Sequence, residues 1–109
     1  MALLEGSWVG SAYQSDIKES FDLKLICKDG VYTIDYPSIG CGGTWQVKES
    51  DSTRVVFKEA LSYGQEICNN DGTVVVSFEG KDQLKFQYYF PDLDSLNAIG
   101  QLRRMKAER

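Results

Sequence analysis

The side chains that could do chemistry in this chain are few, because its 109 residues include no histidine. That absence removes the commonest general base and excludes the Ser–His and Cys–His nucleophile pairs. It also removes the common zinc sites that use histidine ligands. An enzyme built on this sequence would have to work with carboxylates, tyrosine, lysine or cysteine.

The three cysteines are the most distinctive of these groups. Cys41 and Cys68 lie in stretches rich in glycine or turn residues, whereas Cys27 lies on the apolar face of a predicted strand. This placement favours a Cys41–Cys68 disulfide and leaves Cys27 as a small buried hydrophobic residue. Closing that loop would contribute roughly 3–4 kcal/mol in the chain-entropy model. The alternative is three free thiols in a reducing compartment. No lysine or arginine lies near Cys41 or Cys68 in sequence, so no reactive thiol is predicted there.

Carboxylates are the second candidate group, since two converging carboxylates could act as an acid–base pair of the glycosidase kind. No spacing singles out such a pair. Most of these side chains alternate with apolar residues, so we expect them to face water. The stretch 69–72 is similar to part of a calcium loop but lacks regular ligand spacing, so we predict a turn, no metal and no cofactor. The carboxylates considered are Asp22, Asp35, Asp51, Glu59, Glu66, Asp71 and Glu79.

Aromatic residues form the third group, and most of them fall on the predicted inward faces of strands. They could line a cavity for a small apolar or aromatic ligand. The alternative is that they simply fill the interior, because short strands around a small barrel leave little room. Tyr63 and Tyr89 are instead predicted to be exposed, where they could belong to a partner surface. The candidate ligand-binding residues are Tyr32, Tyr36, Trp45, Phe57, Phe86 and Tyr88.

The elements that must position these residues are strands. Apolar residues alternate with polar ones over 21–28 and over 84–90, and Asp-Gly pairs mark turns at 29–30 and 71–72. Residues 97–105 fit either a strand or a helix, and Gly100 favours the strand. Eight short strands with regular turn signals predict an all-β domain over 1–109, an antiparallel up-and-down barrel with little or no helix.

The stretch from Tyr36 to Trp45 is predicted to be a corner between two strands. Pro37 should end a strand at Tyr36, and Gly40, Gly42 and Gly43 should turn the chain before a new strand starts near Thr44. Cys41 would then tie this corner across one end of the barrel. The role of Ile39 in the corner cannot be assigned from sequence.

Charge and hydropathy bear on partners and compartment. The net charge is −4, and the tail from Arg103 is basic while the preceding residues are acidic, so nucleic acid is not expected as a partner. No apolar run is long enough to predict a membrane span. The start, Met1 to Glu5, does not read as a signal peptide. We therefore expect a cytoplasmic chain, or an extracytoplasmic one whose signal has been removed; a Cys41–Cys68 disulfide would favour the second.

Two resemblances can be stated. The Gly6-Ser7-Trp8 start and an arginine near the last strand resemble the lipocalin-type (calycin) barrel. That likeness implies a first-strand tryptophan packed under a last-strand arginine, here Trp8 with Arg103 or Arg104, of which Arg103 is taken as the partner.

The second resemblance covers almost the whole chain. It is to a small uncharacterised bacterial domain similar to the extracytoplasmic C-terminal segment of some bacterial serine/threonine kinases. It implies a disulfide-linked extracytoplasmic β module, with a sensor role and no catalytic residues. The residues that carry it are Trp8, Gly10, the stretch 36–43, Phe57, Glu59, Gly64, Cys68, Gly72, Val74, Gly100, Leu102 and Arg103.

These observations predict a non-enzymatic binding or interaction module, monomeric or homodimeric, whose ligand is a small molecule or a protein. The alternatives are a small enzyme that uses carboxylates or tyrosine, and a secreted enzyme inhibitor. An exposed, rigid apolar loop around Ile39 would favour the inhibitor.

Overall fold

The chain forms a closed barrel of eight antiparallel strands in which sequence neighbours pair and β1 pairs with β8. The predicted all-β, up-and-down barrel is therefore confirmed. The computed structural model describes residues 4–14, 18–64, 72–80, 82–89 and 96–105. The strands are β1 (Gly6–Gln14), β2 (Glu19–Lys28), β3 (Val31–Tyr36), β4 (Cys41–Ser50), β5 (Arg54–Tyr63), β6 (Thr73–Gly80), β7 (Gln83–Tyr89) and β8 (Leu96–Arg104).

The two ends of the barrel differ in their connections. At one end, here called the short-turn end, strands are joined by residues 29–30, 51–53 and 81–82. At the other, the long-connection end, they are joined by residues 15–18, 37–40, 64–72 and 90–95. Binding residues are disproportionately found on the loops of a rigid scaffold, and the second end has more loop residues, so it is the first place to look for a site.

Alternation along each strand determines which side chains enter the core. In β2, Leu23, Leu25 and Cys27 are buried while the residues between them are exposed. This is the period-2 pattern expected of a strand with one face on the core and one face in water. The inward residues of the strands form a single apolar cluster, which includes Trp8 and all six candidate ligand-binding residues and has Phe21 packed against it.

The last strand confirms the choice of strand over helix for the C-terminal region. Gly100 in β8 pairs with Ala12 in β1. A Cβ at Gly100 would lie 2.2 Å from the carbonyl oxygen of Ser11, and one at Gly10 would lie 1.8 Å from that of Gln101. The first and last strands thus approach each other closely at two glycines, and this contact closes the barrel.

The predicted corner is shorter than expected. It comprises residues 37–40, with Gly40 at φ +95° and both Ile39 and Gly40 donating backbone hydrogen bonds to the Tyr36 carbonyl. Gly42 and Gly43 do not turn the chain but belong to β4, where they are buried. A Cβ on Gly43 would lie 2.1 Å from the Ala60 carbonyl oxygen, so this glycine allows β5 to approach closely.

No helix long and apolar enough to cross a membrane occurs in the part of the chain that the structure describes.

Candidate functional site

The middle of the barrel holds a cluster of aromatic rings. Phe57 lies 5.1 Å from Tyr32 and 5.0 Å from Trp45, measured between ring centroids, and Trp45 stacks on Phe86 at 6.0 Å. These separations are those of favourable aromatic pairs. Four of the six candidate ligand-binding residues therefore contact one another.

Glu59 is the charged residue placed among these rings. Its side chain is 1% exposed, and it is the one buried charged side chain among the described residues. The expectation that it faces water is wrong. Glu59 has the same phase in β5 as the buried Val55 and Phe57, so strand periodicity brings it inside although its charge favours the surface.

Two neutral groups donate hydrogen bonds to this carboxylate. The Tyr36 hydroxyl donates to Oε2 of Glu59, and the Trp45 indole N–H donates to the same oxygen at 3.0 Å. Three strands position the groups: β3 carries Tyr36, β4 carries Trp45, and β5 carries Glu59, which pairs directly with Trp45. We call Tyr36, Trp45 and Glu59 the interior polar cluster. It joins two of the predicted ligand-binding residues to a residue that the sequence analysis placed outside.

Burial dominates the acid–base properties of this cluster. It raises the pKa of Glu59, while the hydrogen bonds from Tyr36 and Trp45 act in the opposite direction by stabilising the carboxylate. Burial also raises the pKa of the Tyr36 hydroxyl well above its ordinary value, and the nearby Glu59 charge adds to this. Tyr36 therefore keeps its proton at neutral pH and acts as a hydrogen-bond donor.

The cluster lies toward the long-connection end. Glu59 donates its backbone N–H to the Gly72 carbonyl at 2.9 Å. A Cβ on Gly72 would lie 2.2 Å from the hydroxyl oxygen of Tyr88, so that hydroxyl borders the same region. Tyr36 packs edge to face with Phe21, with ring centroids 5.6 Å apart. Tyr88, the remaining member of the six candidate ligand-binding residues, also lies inside the barrel.

The short-turn end is closed by Trp8 and an arginine, but the arginine is Arg104. Its guanidinium carbon lies 4.2 Å from the centroid of the Trp8 ring. Arg103 is exposed on the outer face of β8 and pairs with Val9. The assignment of Arg103 as the closing residue is corrected because inward positions in β8 alternate through Ala98, Gly100 and Leu102 to residue 104.

Two of the three cysteines, Cys27 and Cys41, lie among the described residues, and both are buried. Cys27 is a buried free thiol, and burial is the main reason its pKa is raised to about 12. Cys41 is buried at the start of β4, at the long-connection end. Cys68 lies outside the described residues, so the Cys41–Cys68 pairing stays a prediction.

Other candidate groups lie apart from the interior. Tyr63 is 46% exposed, as predicted, and its hydroxyl donates to Asp35 on the outer face. Tyr89 is only partly exposed.

Ile39 is partly buried and packs against the core, so the loop around it is not the exposed apolar loop that would favour an inhibitor. Glu66 and Asp71 fall outside the described residues. Among the residues described, no three acidic or cysteine side chains come together as a metal site would require.

Fold and site together define an eight-stranded antiparallel closed barrel whose aromatic interior contains a buried carboxylate. Comparison of the chain with protein-family models, with curated proteins and with solved structures found no match.

Proposed function

We propose that this protein is a non-enzymatic binding module that takes a small apolar or aromatic molecule at the long-connection end of its barrel. The observation that carries the proposal is Glu59. A carboxylate that is 1% exposed among aromatic rings is unfavourable for folding unless its lone pairs are satisfied. A few polar groups among apolar and aromatic side chains are the usual composition of a small-molecule site.

The arrangement of the two ends supports the same function. The short-turn end is covered by Trp8, whose indole N–H donates to the Leu4 carbonyl at 3.0 Å, and by Arg104 above its ring. The interior polar cluster lies toward the opposite end, where the longer connections leave the strands. A barrel closed at one end by a tryptophan and an arginine is also what the lipocalin-type resemblance implies. In this proposal a ligand enters past Tyr36 and Tyr88.

The rings of the interior restrict what can bind. Trp45, Phe57 and Phe86 already contact one another. A ligand therefore has to be small and to lie beyond these rings, on the side of Glu59 and the long connections. This size limit separates the proposed module from barrels that enclose a large lipid.

Thermal-shift screening of the protein against small aromatic and lipophilic compounds tests the proposal. Binding raises the unfolding temperature by mass action. Hits should shift the NMR signal of the Trp45 indole N–H, which lies in the proposed site, more than that of Trp8 at the closed end. Absence of any stabilising compound, or hits that perturb only Trp8, would overturn it.

An extracytoplasmic location is proposed together with the Cys41–Cys68 disulfide. The support comes from Gly64, at φ +70°, where a Cβ would lie 2.6 Å from the Cβ of Cys41. The chain that leaves β5 toward Cys68 thus starts in contact with Cys41. Disulfides persist mainly in oxidising compartments.

A second candidate function is a small enzyme in which Glu59 acts as a general acid or base. The observation that favours it is the raised pKa of this buried carboxyl beside the Tyr36 hydroxyl, since perturbed groups of this kind occur at catalytic sites. A compound found by screening decides between the two. Recovery of the compound unchanged after prolonged incubation supports a binding module, and its chemical conversion, lost in Glu59→Gln, supports an enzyme.

A further inference from the structure

The two oxygens of the Glu59 carboxylate are not equivalent. Both described hydrogen bonds, from Tyr36 and from Trp45, go to Oε2. A carboxylate has about four lone-pair sites on its two oxygens. None of the described residues donates to Oε1.

Oε1 is also the oxygen that the described donors leave for a ligand. No fully buried side-chain nitrogen or oxygen among the described residues lacks a hydrogen-bond partner. Since no described residue donates to Oε1, we assign the small exposure of Glu59 to this atom. The carboxylate is therefore anchored through Oε2, and Oε1 is the oxygen that a ligand would contact.

The residues around Glu59 indicate which charge a ligand group should carry where it contacts Oε1. The buried residues described include no lysine or arginine, and Glu59 is the one charged side chain among them. Tyr36 and Trp45 direct their donors to Oε2. A ligand with an anionic group would meet a carboxylate without a compensating cation, whereas an N–H donor with positive charge would form a charge-assisted hydrogen bond. Nearby aromatic faces further favour a cation.

We propose that Oε1 of Glu59 accepts a hydrogen bond from a protonated amine carried on a small apolar or aromatic body. The ligand class is thus a small organic ammonium ion, with its charge at Glu59 and its apolar part toward the long-connection end of the barrel. This inference rests on the proposed binding function and specifies its ligand.

Three compounds with the same ring but different charge test the proposal: phenethylamine, 2-phenylethanol and phenylacetate. Each is titrated into the isotopically labelled protein while the Trp45 and Trp8 indole N–H signals are followed, with Trp45→Phe used to assign them. We expect phenethylamine to bind about tenfold more tightly than 2-phenylethanol, because hydrogen bonds to charged groups exceed neutral ones by about that factor. Phenylacetate should bind most weakly.

The substitution Glu59→Gln keeps the shape of the side chain and removes its charge. It should abolish the preference for phenethylamine over 2-phenylethanol, while Glu19→Gln, the same change at an exposed position of β2, should leave the preference intact. The order of affinities in the unsubstituted protein decides the proposal even where Glu59→Gln does not fold.

The outcomes separate this inference from the function on which it rests. Equal binding of the amine and the alcohol at Trp45 would overturn the ammonium assignment and leave the binding module standing. A preference for the amine that survives Glu59→Gln would overturn the role of Glu59 alone. Failure of all three compounds to shift Trp45 would overturn the ammonium assignment, and the binding function would then be decided by the wider screen.

Discussion

The guanidinium of Arg104 lies over the indole ring of Trp8, 4.2 Å from the ring centroid, and joins the last strand to the first. The same side chain donates from Nε to Asp82 at 2.9 Å and from Nη1 to the Glu5 carbonyl. One arginine thus holds the β1–β8 seam, the turn before β7 and the segment that precedes β1. Its planar, multi-donor head suits this combination, and a lysine would not reproduce it.

Replacing Arg104 should therefore weaken the barrel in a way that replacing its neighbour does not. We expect Arg104→Ala to lower the free energy of unfolding by about 1–3 kcal/mol, through loss of the cation–π contact and the charge-assisted hydrogen bonds. Arg103→Ala, at the exposed position next to it, should change the stability by no more than about 0.5 kcal/mol. Urea unfolding followed by tryptophan fluorescence measures both. Equal effects of the two substitutions would contradict the assignment of Arg104.

The architecture was predictable because it follows from strand periodicity and turn residues. Alternation in β2, β3 and β7 predicts a half-buried face, and Asp29-Gly30 predicts a tight turn. The detailed bounds were less predictable: β5 continues to Tyr63, past the last clearly alternating residues, because its pairing with β4 continues to Gly42 across a bulge. Pairing between strands determines such ends, and a single sequence does not show it.

The site was only partly predictable, and Glu59 and Arg104 were missed for different reasons. The aromatic residues of the interior were found from their phase along each strand. Glu59 shares the phase of Val55 and Phe57, and Arg104 shares that of Gly100 and Leu102. The charge of Glu59 predicts exposure, yet its strand phase places it inside. An arginine over Trp8 was expected, but the choice of Arg103 did not follow the phase of β8, which places Arg104 across the barrel end. Hydrogen-bond partners from other strands make this placement possible, and those partners appear only when the strands are assembled.

The glycines of the β1–β8 seam give a second prediction. Gly10→Ala and Gly100→Ala should each destabilise the protein by about 1–3 kcal/mol or more, because the new methyl group would overlap the backbone of the adjacent strand. Gly80→Ala is the matched control, since a Cβ there meets no atom within 4 Å. Thermal unfolding followed by circular dichroism compares the three variants. A loss at Gly80 as large as at Gly100 would mean that the effect is general to glycine in strands.

The cysteines give a third prediction, with different outcomes for the buried thiol and the proposed pair. Cys27 should not react with iodoacetamide in the folded protein, because burial keeps it protonated with a pKa of about 12, and only thiolates are alkylated. It should react after unfolding in urea. Mass spectrometry of protein unfolded without reductant should find one alkylated cysteine if Cys41 and Cys68 are linked, and three if they are not. Reaction of Cys27 in the native state would contradict its described environment.

The buried carboxylate gives a prediction about pH. The pKa of Glu59 is raised above its ordinary value of 4.5 in the folded protein. The folded state therefore binds this proton more tightly than the unfolded chain does, so the contribution of Glu59 to stability is greatest below pH 4.5 and decreases as the pH rises through the folded-state pKa. Glutamine at this position has no proton to lose. The free energy of unfolding of Glu59→Gln should consequently increase with pH relative to that of the unsubstituted protein.

Urea unfolding of both proteins at a series of pH values from 4 upward measures this difference. The exposed substitution Glu19→Gln provides the matched control and should show no comparable trend, because the carboxylate it removes is exposed at the start of β2. A difference that decreases as the pH rises would show that the hydrogen bonds from Tyr36 and Trp45 outweigh burial, and one that is independent of pH would show that the two effects cancel. Glu59 would then be mainly ionised in the folded barrel at neutral pH, which would contradict a role as general acid and leave its role as an acceptor for a cation.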